Sequence, residues 1–155
     1  IRRPPRSTLS SSSAASDVYK RQLEYTAYQH AASGIQVCAV QNAGRREVAC
    51  ALFRLRPRKG WSTLQEAHIA EPLDLVASIK EPTIFCGEID DRIEQILKKG
   101  LRSKAVFPSA LLRMRQPASL VALGFMRRNN SIFDDASALQ PVYLRKPPIT
   151  RRKKA

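Results

Sequence analysis

The stretch VQNAGRREVACALFR, Val40 to Arg54, decides how this chain is read. From Glu47 to Leu55 the residues alternate, with Val48, Cys50 and Leu52 on one side and Ala49, Ala51 and Phe53 on the other. An extended segment that is apolar on both faces belongs inside a sheet covered on both sides. Ile35 to Val40 before it is short and rich in β-branched residues, a second strand signal. Gln41-Asn42-Ala43-Gly44 between the two is turn chemistry, because Asn and Gly tolerate positive φ. The pair therefore reads as a hairpin at the centre of a sheet.

Elements on either side extend that sheet. Leu23 to Tyr28 reads as the end of a helix, closed by Ser33-Gly34. Pro57-Arg58-Lys59-Gly60 is a second turn into a third strand, Trp61 to Ile69, completing an antiparallel meander. The pattern then changes. Pro72 to Ile79 predicts a short helix, and Thr83 to Cys86 a buried strand broken by Gly87. Ile89, Ile93, Ile96 and Leu97 form one apolar helical stripe that stops at Gly100. Lys104 to Phe107 is a further strand, and Ala118 to Arg128 a last helix with Leu120, Leu123 and Gly124 inward. An extended Val142-Tyr143-Leu144 follows. A meander followed by alternating helices and strands predicts an α/β fold, the ribonuclease-H-like (actin/Hsp70-type) lobe.

The net charge of +14 invites a nucleic-acid reading, so its distribution matters. Residues 1–22 carry a net of about +4 and residues 145–155 about +6, which leaves roughly +4 on 23–144. The extreme basicity belongs to the ends, and the middle has the size of one domain with one core. The leader, IRRPPRSTLSSSSAASDVYKRQ, has Leu9 as the one large apolar residue between Ile1 and Val18, too little to offset the ordering of the chain. It lacks the apolar run of about 7 to 15 residues that a secretory signal needs. Its Arg- and Ser-rich composition is closer to a transit peptide. The whole stretch to Gln22 also resembles translated sequencing adapter, and on that reading it is foreign. The expected organisation is thus a leader over 1–22, a lobe over 23–144 and a disordered basic tail over 145–155.

Candidates for chemistry are few. Asp90-Asp91 with Glu88 and Glu94 could pair carboxylates on a metal, but they open a helix, where acids favour the positive end of the dipole. Asp134-Asp135 resembles a helix cap. Cys38, Cys50 and Cys86 lie in strand-like runs without CxxC spacing and read as buried thiols. His30 and His68 stand far from any Cys in sequence, and no nucleophile–base arrangement or glycine-rich phosphate loop can be assembled. The tail Arg151-Arg152-Lys153-Lys154 could touch RNA phosphates but lacks aromatics interleaved for stacking. No apolar run nears the roughly 20 residues of a membrane span.

Two stretches go further than pattern. Val40 to Arg54 resembles the strand-turn-strand signature IDARRGEVYVALYR in the second lobe of the TsaB (YeaZ) family. LQPVYLRKPPIT, Leu139 to Thr150, resembles the L-x-P-x-Y-L-R-x-P ending of that family. Phe85 to Glu88 falls where the family has a strand leading into GDG, and Leu23-Glu24 matches the helix before its second lobe. The motif residues are then Asn42, Arg45, Glu47, Val48, Gly87, Pro141, Tyr143, Leu144 and Arg145. The family's turn Asp is Asn42 here and its Tyr after Glu47-Val48 is Ala49, which puts a polar role for the turn in doubt.

The resemblance implies a catalytically silent scaffold, without cofactor or metal. It would support threonylcarbamoylation of the adenosine beside the anticodon in tRNA, in the bacterial cytoplasm. Its partners would be a TsaD-like catalytic subunit and a TsaE-like ATPase, reached mainly through a first lobe that is missing here, with tRNA contacted indirectly. Two alternatives stay open: a small basic RNA-binding protein and a glycoprotease-like peptidase.

Overall fold

The computed structural model describes residues 22–113 and 116–132. Helix α1 (22–28) passes through a 3-10 turn, Ala31–Ser33, into three strands, β1 (Gln36–Gly44), β2 (Glu47–Arg56) and β3 (Gly60–Ala70). There follow α2 (Pro72–Ser78), β4 (Thr83–Gly87), α3 (Asp91–Leu101), β5 (Ala105–Val106), α4 (Ala110–Arg113) and α5 (Pro117–Asn129). The strands form one sheet in the order β3-β2-β1-β4-β5. β1–β2 and β2–β3 are antiparallel, whereas β1–β4 and β4–β5 are parallel. This mixed sheet is the expected ribonuclease-H-like lobe.

Both faces of the sheet are covered, which explains the doubly apolar β2. On one face Cys38, Val40, Val48, Cys50, Leu52 and Phe85 pack against Leu75 and Ile79 from the α2 region and Ile93, Leu97 and Leu101 of α3. On the other, Val37, Ala39, Ala51, Phe53, Ile84 and Cys86 pack against Leu23 and Ala27 of α1, with Ile35, Trp61 and Ala67 at the margin. Each large side chain buried this way contributes roughly 1.5–3 kcal/mol relative to exposure. The buried polar Thr83 is satisfied, accepting from Gln36 Nε2 at 2.6 Å and donating to the Glu81 carbonyl at 2.8 Å.

Several details differ from expectation. The first hairpin turns at Arg45-Arg46, because β1 continues through Gly44, which pairs with Glu47. Helix α3 runs one residue past Gly100 to Leu101, so Gly100 is no stop signal. A Cβ at Gly100 would run into the Val76 side chain, so the glycine lets α2 and α3 approach closely. In α5 only Leu123 is buried; Leu120 and Gly124 are exposed. Residues 120–126 are apolar without interruption, so periodicity could not select an inward face there. α4 had no sequence signal, being a single turn whose Leu112 and Arg113 N–H groups return to the Ser109 carbonyl. Leader residues 1–21, Asp134-Asp135, Val142-Tyr143-Leu144 and the tail 145–155 lie outside the described residues.

Candidate functional site

The described motif residues gather at one end of the sheet, where the parallel strands β1 and β4 finish. Asn42 stands opposite Val48 in the hairpin, and Gly87 stands opposite Val40, two residues before Asn42. Arg45 and Arg46 form a two-residue turn with φ of 52° and 68°, both in the left-handed region. Asn42 does have a polar role: its Oδ1 accepts the Gly44 N–H at 2.8 Å, a bond an Asp could equally accept. Val48 is fully buried in the core, Glu47 is half-buried, and Arg45 is exposed. Gly87 has φ +101°, and a Cβ on it would land on the Val40 carbonyl oxygen. That oxygen also accepts the Glu88 N–H at 2.8 Å, locking the end of β4 onto β1. Pro141, Tyr143, Leu144 and Arg145 lie outside the described residues.

The acidic cluster beside Gly87 is spent on structure. Asp90 caps α3, its Oδ1 accepting the Ile93 N–H at 2.7 Å, and Asp91 lies in the first turn. Glu94 sits between Arg113 at 2.7 Å and Lys98 at 2.6 Å. The hydrogen bond from Arg113, then that from Lys98, holds its carboxyl below the ordinary carboxylate range. Arg113 and Lys98 also lie over the Phe107 ring, which stacks on Phe85, so this knot ties α4 to α3 and the core. Among the described residues no three His, Cys, Asp or Glu side chains gather as metal ligands do.

Two juxtapositions escaped the sequence reading. Cys50 Sγ lies 3.6 Å from His68 Nε2, because β2 and β3 place the two residues opposite each other. Sequence separation hid the pair, whereas strand register reveals it. Burial pushes the Cys50 thiol up to about 11, the reverse of an activated nucleophile. His68 Nδ1 lies 2.9 Å from the Glu66 carbonyl, which fixes Nδ1 as the donor and leaves Nε2 to accept. Cys38 and Cys86 are likewise buried free thiols, Cys86 raised to about 12 by burial.

The second is a groove of about 580 Å³ between the β2–β3 turn, α1 and α5. Arg58 and Lys59, both exposed, line it together with Tyr28, Trp61 and Met126. Trp61 stacks on Phe53 with ring centroids 5.5 Å apart and meets Tyr28 edge-on at 5.2 Å. Its indole N–H is buried without an acceptor among the described residues. Arg127 and Glu24, both in the groove lining, pair at 2.8 Å.

Comparison with known proteins places this architecture. An uncharacterized Pseudomonas aeruginosa protein with similarity to peptidase YeaZ superposes over 79% of this chain and 55% of its own, at 18% identity and TM-score 0.53. YeaZ from Pseudomonas aeruginosa superposes over 78% of this chain and 55% of its own, at 16% identity and TM-score 0.53. The chain has a YeaZ-like fold. It spans about half the length of those two YeaZ-type structures. No family model matches the sequence, and no curated protein does. At this distance the likeness is one of fold. Gly87 and the hairpin act through this chain's own backbone geometry, and no helix among the described residues is long and apolar enough to cross a membrane.

Proposed function

We propose that the chain is a lobe of a non-catalytic, TsaB-like scaffold subunit. It would serve in the cytoplasm in threonylcarbamoylation of the adenosine beside the anticodon in tRNA. A TsaD-like catalytic subunit and a TsaE-like ATPase are its partners. The observation that carries this reading is the YeaZ-like fold combined with the position of the motif residues. Asn42, Arg45, Glu47, Val48 and Gly87 build one end of that fold as a scaffold, through backbone geometry and core packing. The acids beside them are used in a helix cap and in ion pairs, and Cys50 is held as a thiol beside His68, which supports a structural role over a peptidase one.

The test is reconstitution. The chain is mixed with a TsaD-like and a TsaE-like subunit, tRNA and a threonylcarbamoyl donor, with a full-length TsaB-like protein as positive control. Co-elution with the TsaD-like subunit and stimulated modification are expected. Peptide hydrolysis by the chain alone, lost on Cys50→Ser, would instead establish the peptidase reading.

A further inference from the structure

We propose that the groove between the β2–β3 turn and α5 is a site for single-stranded nucleic acid, with phosphates on Arg58 and Lys59 and a base against the Trp61–Tyr28 wall. The proposed function needs only indirect contact with RNA, so this inference goes beyond it and stands on different residues. Residues 54–59 read Arg-Leu-Arg-Pro-Arg-Lys, four cations in six positions. Arg54 is taken by Glu81 at 2.9 Å. Arg58 and Lys59 are exposed at the groove and have no acidic partner among the described residues. Within the groove wall Glu24 and Arg127 neutralise each other, so those two cations set the sign of the site.

A basic turn alone is usually a solvated surface. What distinguishes this one is the adjoining concavity of about 580 Å³, a size in the range of small-ligand sites. Its lining joins Trp61, Tyr28, Leu55 and Met126 to the cations, the combination by which single strands are held: cations along the phosphates and apolar, aromatic surface for the bases. An acidic peptide would use the cations but leave that surface unused. The topology also separates the groove from Glu88, Asp90 and Asp91, while Glu81 at the groove's end of the sheet is taken by Arg54 and Glu66 lies in the adjoining pocket with Glu24 and Arg127. β2 runs antiparallel to β1, so Arg58 and Lys59 lie at the end of the sheet where β1 and β4 begin, and Glu88, Asp90 and Asp91 lie where those strands finish. The local field therefore favours an anion at the groove more than the middle segment's modest net charge suggests.

Trp61 is the one tryptophan in the chain, so its emission reports this groove. The full chain is titrated with a single-stranded RNA of about 12 nucleotides, a length a single-strand site accommodates. A variant with Arg151, Arg152, Lys153 and Lys154 changed to Ser removes binding by the tail. We expect saturable quenching of Trp61 emission that persists in the tail variant. Arg58→Ala/Lys59→Ala should weaken binding about tenfold and flatten the salt dependence by roughly 1.4 in log–log slope, about 0.7 for each phosphate left without its cation. Both residues are exposed, so the melt of that variant should match the parent. Three results would overturn the proposal: RNA binding with unchanged Trp61 emission, a double variant that binds as tightly as the parent, or equal quenching at equal affinity by a poly-glutamate peptide.

Discussion

Gly87 occupies a backbone position that β1 closes to every side chain. Its φ of +101° is unfavourable for L-residues, and the Val40 carbonyl oxygen fills the place of a Cβ. Relief would require β4 to move off β1, breaking the Glu88 N–H bond to that same oxygen. Gly87→Ala is therefore expected to destabilise the fold by at least about 2 kcal/mol in denaturant melts, strain and steric displacement adding. A loss below half that figure would mean β4 is loosely seated. Asn42 offers the complementary case. Its side chain serves only as an acceptor for the Gly44 N–H, so Asn42→Ala should cost roughly 1 kcal/mol and Asn42→Asp close to nothing, in the same melts. If Asp cost as much as Ala, the carboxamide would be acting through its N–H₂ group and the turn would be held differently.

At the scale of elements, the β1–β2 hairpin closes on two non-glycine residues in the left-handed region, Arg45 and Arg46. That conformation costs roughly 1 kcal/mol per residue for most side chains, and Asn-Gly is the pair that suits it. The double change Arg45→Asn/Arg46→Gly should raise stability by about 1 kcal/mol or more and so raise Tm. A lower Tm would show that the arginines make contacts worth more than the strain. The same hairpin shows what is legible in the sequence. The unbroken apolar run Val48 to Phe53 places β2 correctly, because burial on both faces leaves no position for a polar side chain. The turn is displaced because Asn42 and Gly44 carry turn chemistry, yet both are consumed in an irregular end of β1. Cys50–His68 and the Arg58–Trp61–Tyr28 groove are illegible because they depend on register and on helix placement, which local composition does not encode.

Helix α3 is legible from its apolar stripe, and its fixed end explains one pH effect. Glu94, held by Arg113 and Lys98, has a folded carboxyl pKa below its unfolded value. Its contribution is therefore complete above the ordinary carboxylate range and is lost as pH falls through the depressed value. Glu94→Gln should cost under about 1 kcal/mol at neutral pH, as for partly solvated ion pairs, and the difference from the parent should shrink on acidification. A difference that grew toward low pH would reverse the assignment.

Over the whole molecule, the two faces of the sheet are covered unequally. α2 and α3 seal one face with a continuous apolar layer and α1 covers the other, whereas α5 touches the fold lightly and α4 is held to α3 by the Arg113–Glu94 pair. α5 contributes only Leu123 to the interior. Its tie to α1 is the Arg127–Glu24 ion pair, and α4 adds the Gln29 Nε2 bond to the Leu112 carbonyl at 3.3 Å. The apolar residues of these helices consequently face outward, with Leu111 74%, Val121 57% and Phe125 56% exposed. Large apolar side chains left exposed on both helices make the chain prone to association. The chain in isolation is expected to bind a hydrophobic dye and to self-associate as concentration rises. Leu111→Gln/Val121→Gln/Phe125→Gln should abolish both behaviours while shifting stability by no more than about 0.5 kcal/mol per site, because the side chains are not packed. Were the triple variant to melt far below the parent, those residues would be holding α4 and α5 in place. The exposed face would then be part of the fold, and association would have to arise from another surface.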